Sequence, residues 1–388
     1  MGRISCLDLV AARLLGAGLV LAALGACSTR APVDPRPAVD PRRVEIEALI
    51  RCGSHECLQR ALGLARELHR SLPERADVRD DAVRAALLLG LRERQLGILG
   101  DGSLATAREL LEACPDGNEL RLLADGLELV PIQAGGVHQD LSRGEFDWRR
   151  LEGTREALAR WRAEQEERLA TDPAASAFCL GLALPRHRGE MPPRAVPEAS
   201  CAVDAHPASP LVLFSRAAAT GGDPALARRA LSLEPTFQEA HLLLGHAASA
   251  ERRLGVAEEH YRSAFGALPR SVAAGMALAD VSFSLEAWPQ ALSAYEQVAA
   301  VAPEHREAHL RRGIVLTCLN RPHDAMAVLD RLLVLGFWFL GEAHYWTARN
   351  QAEVGWSSEA LGQLEQAAHY LPDDPRVHEL AGRLALEL

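Results

Sequence analysis

The stretches "AEEHYRSAFGALP" at residues 257–269 and "ALSAYEQVAAVAP" at residues 291–303 carry the same four signals in the same order. Ala257, Tyr261, Ala264 and Pro269 correspond to Ala291, Tyr295, Val298 and Pro303, each 34 residues later. Spacings of four and three put the first three residues of each set on one helix face, and the proline that follows ends the helix. Upstream stand Leu244-Gly245 and Leu278-Ala279, small positions where a second helix can approach closely. The repeating unit is therefore a helix hairpin.

Working outward, residues 306–339 keep Gly313 and Ala325 but have Leu329 and Leu332 in the second helix and lack the terminal proline. Residues 341–374 keep Ala360, Ala367 and Pro372 after a one-residue insertion. "PLVLFSRAAATGGDPALARRALSLEP" reads as a shortened unit with Ala230 and Pro235 in place, and "PRVHELAGRLALEL" as a capping helix. This pattern resembles the tetratricopeptide repeat (TPR) family, with Leu-Gly followed by small, aromatic, small and proline. The resemblance implies an all-α, right-handed superhelical solenoid of antiparallel hairpins over residues 209–388. It also implies a concave groove lined by the first helix of each hairpin and open to an extended or helical protein segment.

On the family's groove-facing positions fall Leu242, His246 and Ser249, then Met276, Asp280 and Phe283, then Leu310, Ile314 and Thr317, then Tyr345, Arg349 and Ala352. The Lys and Asn pattern of the carboxylate-clamp TPR subfamily is absent. Six aromatics crowd into a short stretch: Phe337, Trp338, Phe339, Tyr345, Trp346 and Trp356. They fit either a binding hot spot or the filling of the junction left by the missing proline and the inserted residue.

Three histidines share one frame in "EAHLLLGHA", "EAHLRRGIV" and "EAHYWTARN", at His241, His309 and His344. Two repeats separate His241 from His309, roughly 20 Å at about 10 Å per helix layer. A zinc ion needs all its ligands at about 2 Å. The three are therefore one structural position, a bulky wedge between the helices of a hairpin. His305 and His309 share helical spacing, but His305 falls just ahead of the helix start. No metal, cofactor or catalytic residue is expected: H-E-x-x-H, G-x-S-x-G, a phosphate-cradling G-x-x-x-x-G-K and C-x-x-C are all missing.

The first 26 residues read as a signal peptide, with Arg3 and Arg13 ahead of an apolar run from Leu14 to Leu24 that is too short to span a bilayer. Leu24-Gly25-Ala26-Cys27 resembles the lipobox of bacterial lipoproteins, which implies cleavage before Cys27 and its acylation. The alternative is an ordinary secretory signal with a chance cysteine. Ser28 after the cysteine implies, by the same resemblance, an outer-membrane anchor facing the periplasm. Residues 27–43, with Pro32, Pro35, Pro37 and Pro41, read as an extended tether. Residues 44–184 carry generic helix hairpins, readable as degenerate repeats, with an irregular section near 131–150; residues 185–208 form a proline-rich joint.

The formal charge of -10 and the absence of a basic patch disfavour nucleic acid and anionic membrane surfaces as partners. In an oxidising compartment Cys52 and Cys57, across a Gly-Ser break, are the leading disulfide pair, with Cys179–Cys201 second. The functional expectation is a membrane-anchored, non-catalytic scaffold that binds cell-envelope proteins. Two alternatives stay open: a cell-wall enzyme or enzyme activator with a site in the irregular section, and a passive spacer.

Overall fold

The computed structural model describes residues 40–98, 100, 102–112, 118–130, 148–182, 201–219, 223–235, 237–336 and 339–387. Cys27 and the lipobox expected ahead of it, residues 131–147, most of the expected proline-rich joint, Phe337 and Trp338 lie outside them. Among the described residues there are nineteen α-helices and no strand, only an isolated bridge between Ile98 and Ser271. The first half holds α1 (Pro41–Cys52), α2 (His55–Ser71), α3 (Ala76–Gln95), α4 (Gly102–Leu111), α5 (Glu119–Leu129), α6 (Trp148–Glu164), α7 (Glu166–Thr171) and α8 (Pro173–Gly181). The second holds α9 (Pro210–Ala219), α10 (Pro224–Leu233), α11 (Ala240–Ala250), α12 (Leu254–Ala267), α13 (Val272–Ser284) and α14 (Trp288–Val301). It ends with α15 (Arg306–Cys318), α16 (Pro322–Leu335), α17 (Leu340–Glu353), α18 (Ser357–Tyr370) and α19 (Pro375–Glu387). From Pro41 onward the chain forms one compact unit.

Helix α1 begins at Pro41, ahead of the boundary at 44 expected from the sequence, because Pro41 opens it with its φ already set and Arg43 is held by Asp77 and Asp81 at 2.5 and 2.6 Å. Helix α6 begins at Trp148 and breaks at Gln165, where the short α7 follows.

The 34-residue signal translates directly into packing. Ala257, Ala291, Ala325 and Ala360 are fully buried on the second helices of four successive hairpins. The bulky residues that follow them, Tyr261, Tyr295, Leu329 and Leu364, are buried as well, as are the small first-helix positions Gly245, Ala279, Gly313 and Ala348. At Gly245 a Cβ would sit 2.4 Å from the Tyr261 ring, so only glycine admits this close a ring. Where the third hairpin lacks its proline, Gly336, at φ +80°, ends α16 instead.

Each hairpin also turns in the same way, which the sequence pattern did not disclose. Arg252, Glu286, Asn320 and Gly355 all have φ between +56° and +85°, at the repeat spacing. A backbone bond from the next residue reaches back to close the helix: Arg253 N to Ala248 O, Ala287 N to Ser282 O, Arg321 N to Leu316 O and Trp356 N to Gln351 O, all 2.8–2.9 Å. These are Schellman closures, normally made with glycine or asparagine. Arginine and glutamate hold the position in two hairpins at a cost of about 1 kcal/mol each.

The two halves interlock. Cys52 is bonded to Cys57, and Cys179 on α8 to Cys201, beside the short 3-10 turn Val203–Ala205. Helix α9 packs on α8 and α1 as well as on α10. Arg92 of α3, only 1% exposed, lies with its guanidinium 4.0 Å from the centre of the Phe214 ring and 5.1 Å from that of Phe237. Its Nη2 donates to the carbonyl of Gly53 at 3.1 Å, and Nη1 to Gln95. Gly53 itself, at φ +71°, leaves no room for a Cβ beside Leu211. Buried Glu239, just ahead of α11, accepts the backbone N–H of His55 at 2.7 Å. Burial pushes its carboxyl up while the charge of Arg92 pulls it back. Further along, the Ser271 hydroxyl donates to the Leu96 carbonyl and Val272 N–H to that of Gly97.

Three outcomes are expected. Replacing Arg92 by leucine leaves Glu239 buried without its counter-charge and lowers unfolding free energy by on the order of 3 kcal/mol in urea denaturation; Arg92→Leu with Glu239→Gln, which removes the charge but keeps the acceptor for the His55 N–H, recovers part of it. Arg252→Gly and Glu286→Gly each raise stability by about 1 kcal/mol, while Asn320→Ala lowers it. Burial, aided by Arg92 and Arg270, pushes His55 down to about 4, with the Glu93 carboxylate 4.0 Å away opposing them. Because the folded state holds this ring neutral, its contribution is full above pH 6.5. As pH falls from 6.5 to 4, up to about 3 kcal/mol is lost. His55→Gln flattens that part of the stability–pH curve.

Candidate partner-binding face

On the sequence pattern, the first helices of the hairpins, α11, α13, α15 and α17, turn Leu242, His246, Met276, Asp280, Phe283, Leu310, Ile314, Tyr345 and Arg349 toward a groove. Five of these nine are instead core residues: Leu242 and Met276 at 3% exposure, Leu310 at 6%, Ile314 and Tyr345 at 8%. The cause is packing between neighbouring first helices. Helix α15 touches α17 directly, and Leu310 and Ile314 join Ala343 of α17 in one apolar cluster. Leu242 shares a cluster with Leu96 and Ile98 from the end of α3. Thr317 is buried too, while Ser249 and Ala352 are half-buried and His246 stands edge-on to Tyr261 at 5.5 Å between centroids. Asp280 is half-buried and occupied: the Tyr295 hydroxyl donates to it at 2.5 Å. Burial pushes the Asp280 carboxyl up, partly offset by that bond, and the Tyr295 phenol is pushed up as well and stays protonated.

What the first helices do present is a row of aromatic rings carrying arginines. Phe283 of α13 is half-buried, edge-on to Trp288 at 5.2 Å between centroids, with the Arg311 guanidinium of α15 5.4 Å from its centre. Trp346 of α17 is half-buried, with exposed Arg349 at 5.1 Å from its ring. Phe283 and Trp346 pack on the same cluster around Leu310 and Ile314, which makes the face continuous across three hairpins. The indole N–H of Trp346 donates to Glu342 at 3.1 Å, and Arg376 of α19 covers the Tyr345 ring at 4.8 Å. Beneath them the buried Asn350 amide donates to the Thr317 hydroxyl at 2.9 Å and to the Trp346 carbonyl, fixing α17 against α15.

Tryptophan, tyrosine and arginine are the residue types that dominate binding hot spots, because they combine large apolar area with directed polar groups. A guanidinium resting on a ring is held in place, and both arginines also lie near a carboxylate of their own helix, Arg311 3.9 Å from Glu307 and Arg349 3.8 Å from Glu353. The sequence reading included Phe283, Tyr345 and Arg349 but missed Arg311. Its position one residue after Leu310 in "EAHLRRGIV" gave no cue, since only the fold brings it over Phe283. Of the remaining clustered aromatics, Phe339 and Trp356 are exposed at 40% and 45%.

The framed histidines act one hairpin at a time. His241 Nδ1 lies 2.9 Å from His260 Nδ1 on α12, and His344 Nδ1 2.6 Å from the Gln363 carbonyl oxygen on α18. His309 reaches the Pro303 carbonyl, and His305 caps α15 by accepting the Ala308 N–H. Among the described residues no three His, Cys, Asp or Glu side chains gather as a metal site.

No family model matches the chain, and no curated protein matches it. Among solved structures it is similar to TTC0263, a thermophilic TPR protein of Thermus thermophilus, at 25% identity over 45% of this chain and 92% of that one, with a TM-score of 0.33. It is similar to YrrB, a TPR protein with an unusual peptide-binding site, at 19% identity over 47% and 91%, TM-score 0.39. It is also similar to PilF of Pseudomonas aeruginosa, at 15% identity over 60% and 99%, TM-score 0.41. The fold stated for this chain, an all-α solenoid of TPR-like hairpins, rests on its own helices and their repeat.

Proposed function

We propose that this protein is a non-catalytic adaptor, held to a bacterial outer membrane through acylated Cys27, that binds envelope proteins through the first-helix face of its repeats. The observation that carries the reading is the run of arginine-capped rings, Phe283 with Arg311 and Trp346 with Arg349, across successive hairpins. A face of this composition offers anchors for an extended or helical segment together with cationic donors for its carboxylates or carbonyls.

The test is crosslinking in intact envelopes followed by affinity measurement on the captured partner. Phe283→Ala with Trp346→Ala, and separately Arg349→Glu, weaken the partner at least tenfold, about 1.4 kcal/mol, with the thermal midpoint of the Arg349 variant unchanged. A partner set identical in wild type and variants, or none above background, defeats the reading. Cys27→Ser moves the protein from the membrane pellet to the soluble fraction; retention in the pellet removes the anchor from the proposal.

A further inference from the structure

Two disulfides brace the chain ahead of α9, and they differ in access. Cys179 and Cys201 are both fully buried, so a thiol reaches their bond only after that region opens. Cys52, the last residue of α1, and Cys57, the third of α2, are only half-buried. Thiol–disulfide exchange requires a thiolate to approach one sulfur directly, so access decides which of the two bonds is labile.

The loop closed by Cys52 and Cys57 is also where the first helices meet the repeats. Of the residues between the two cysteines, Gly53, Ser54 and His55 are buried and only Glu56 is exposed. Gly53 lies against Leu211 of α9, and its carbonyl accepts from Arg92 at 3.1 Å. The His55 N–H donates to Glu239 at 2.7 Å. Ser54 turns its hydroxyl inward, accepting the Cys57 N–H at 3.2 Å and lying 3.6 Å from the Cys52 sulfur. Gly53 N–H bonds back to Leu49 of α1 and Leu58 N–H to Ser54 at the start of α2, so each backbone bond secures one side of the turn and the sulfur bridge spans both. A bond that a thiol can reach thus closes a loop whose buried interior carries the docking contacts.

We propose that Cys52–Cys57 is a redox-sensitive clamp: a dithiol reductant opens it in the folded protein, and opening loosens the docking of the α1–α2 turn onto Arg92 and Glu239 while the repeats stay closed. One thiol of the reductant loses its proton to solvent and attacks the Cys52 sulfur. A mixed disulfide forms, and the electron pair of the old bond leaves on the Cys57 sulfur, which takes up a proton. The leaving charge develops in the first turn of α2, at the positive end of the helix dipole. The second thiol of the reductant, giving up its proton, then attacks the reductant's own sulfur in the mixed disulfide. Cys52 is released and protonated, the reductant is oxidised to its disulfide, and two electrons and two protons have passed to the protein. A disulfide oxidant reverses the step. The clamp does not rest on the partner-binding reading.

The test uses full-length oxidised protein whose free thiols are first blocked with N-ethylmaleimide. Dithiothreitol is added under native conditions, and the thiols it releases are labelled with iodoacetamide and located by peptide mass. Labelling at Cys52 and Cys57 is expected to run about tenfold or more ahead of that at Cys179 and Cys201. In reduced but unlabelled protein, hydrogen exchange is expected to quicken about tenfold or more over residues 53–58 and 237–242, to stay unchanged over α13 to α16, and to return to its starting rate on reoxidation. Cys52→Ser with Cys57→Ser reproduces the faster exchange and no longer responds to dithiothreitol. Both disulfides released at one rate, no release short of global unfolding, or exchange over residues 53–58 unchanged by reduction overturns the clamp. Exchange that quickens throughout the chain overturns it as well, because the bridge is then a global staple.

Discussion

The position of the whole first half depends on one buried cation. Arg92 has lost its water, which pulls its guanidinium down to about 10, yet it remains charged at neutral pH. The surroundings compensate with two ring faces, a backbone carbonyl and the nearby carboxylate of Glu239. Those groups come from the α1–α2 turn, α9 and the segment before α11. A cation this deep is tolerated only when every element supplying a partner is in place. It therefore acts as a register pin: α3, the turn at Gly53 and the start of the repeats fit together in one arrangement. Without it, generic helix hairpins of similar length have many ways to stack.

The repeats obey a simpler rule, applied four times. A small residue on one helix receives a large one from the next, and the hairpin closes through backbone bonds at a left-handed residue. This economy made them legible. Ala257, Tyr261 and Gly245 announce themselves by type and spacing, because only small residues fit where helices nearly touch. The left-handed turns were hidden, since Arg252 and Glu286 are residues a reader assigns to ordinary helix surface. Local hydrogen bonding overrides their preference.

The first half was legible only as helices. "RAALLLGLRERQ" is apolar almost all round, the mark of a helix buried on every side. That pattern is the signal that Arg92 and Arg94 at its end are interior, as both are. Their partners lie far away in sequence, and nothing in local periodicity names them. The groove positions failed for a related reason. Family position numbers assign a direction to each side chain, but they do not specify how tightly neighbouring first helices pack. Here the contact between α15 and α17 takes Leu310 and Ile314 out of the surface and leaves the arginines above them.

The bond between His55 and Glu239 joins residues 184 positions apart, and that between Ser271 and Leu96 spans 175. Because the chain emerges amino end first, α2 and α3 appear before the segment that carries Glu239, and until that segment follows their docking surface does not exist and Arg92 is in water. The repeats close mainly through contacts between neighbouring helices. The long-range step in assembly is thus the docking of the first helices onto the start of the repeats, and any factor that shields apolar helices has its longest task there.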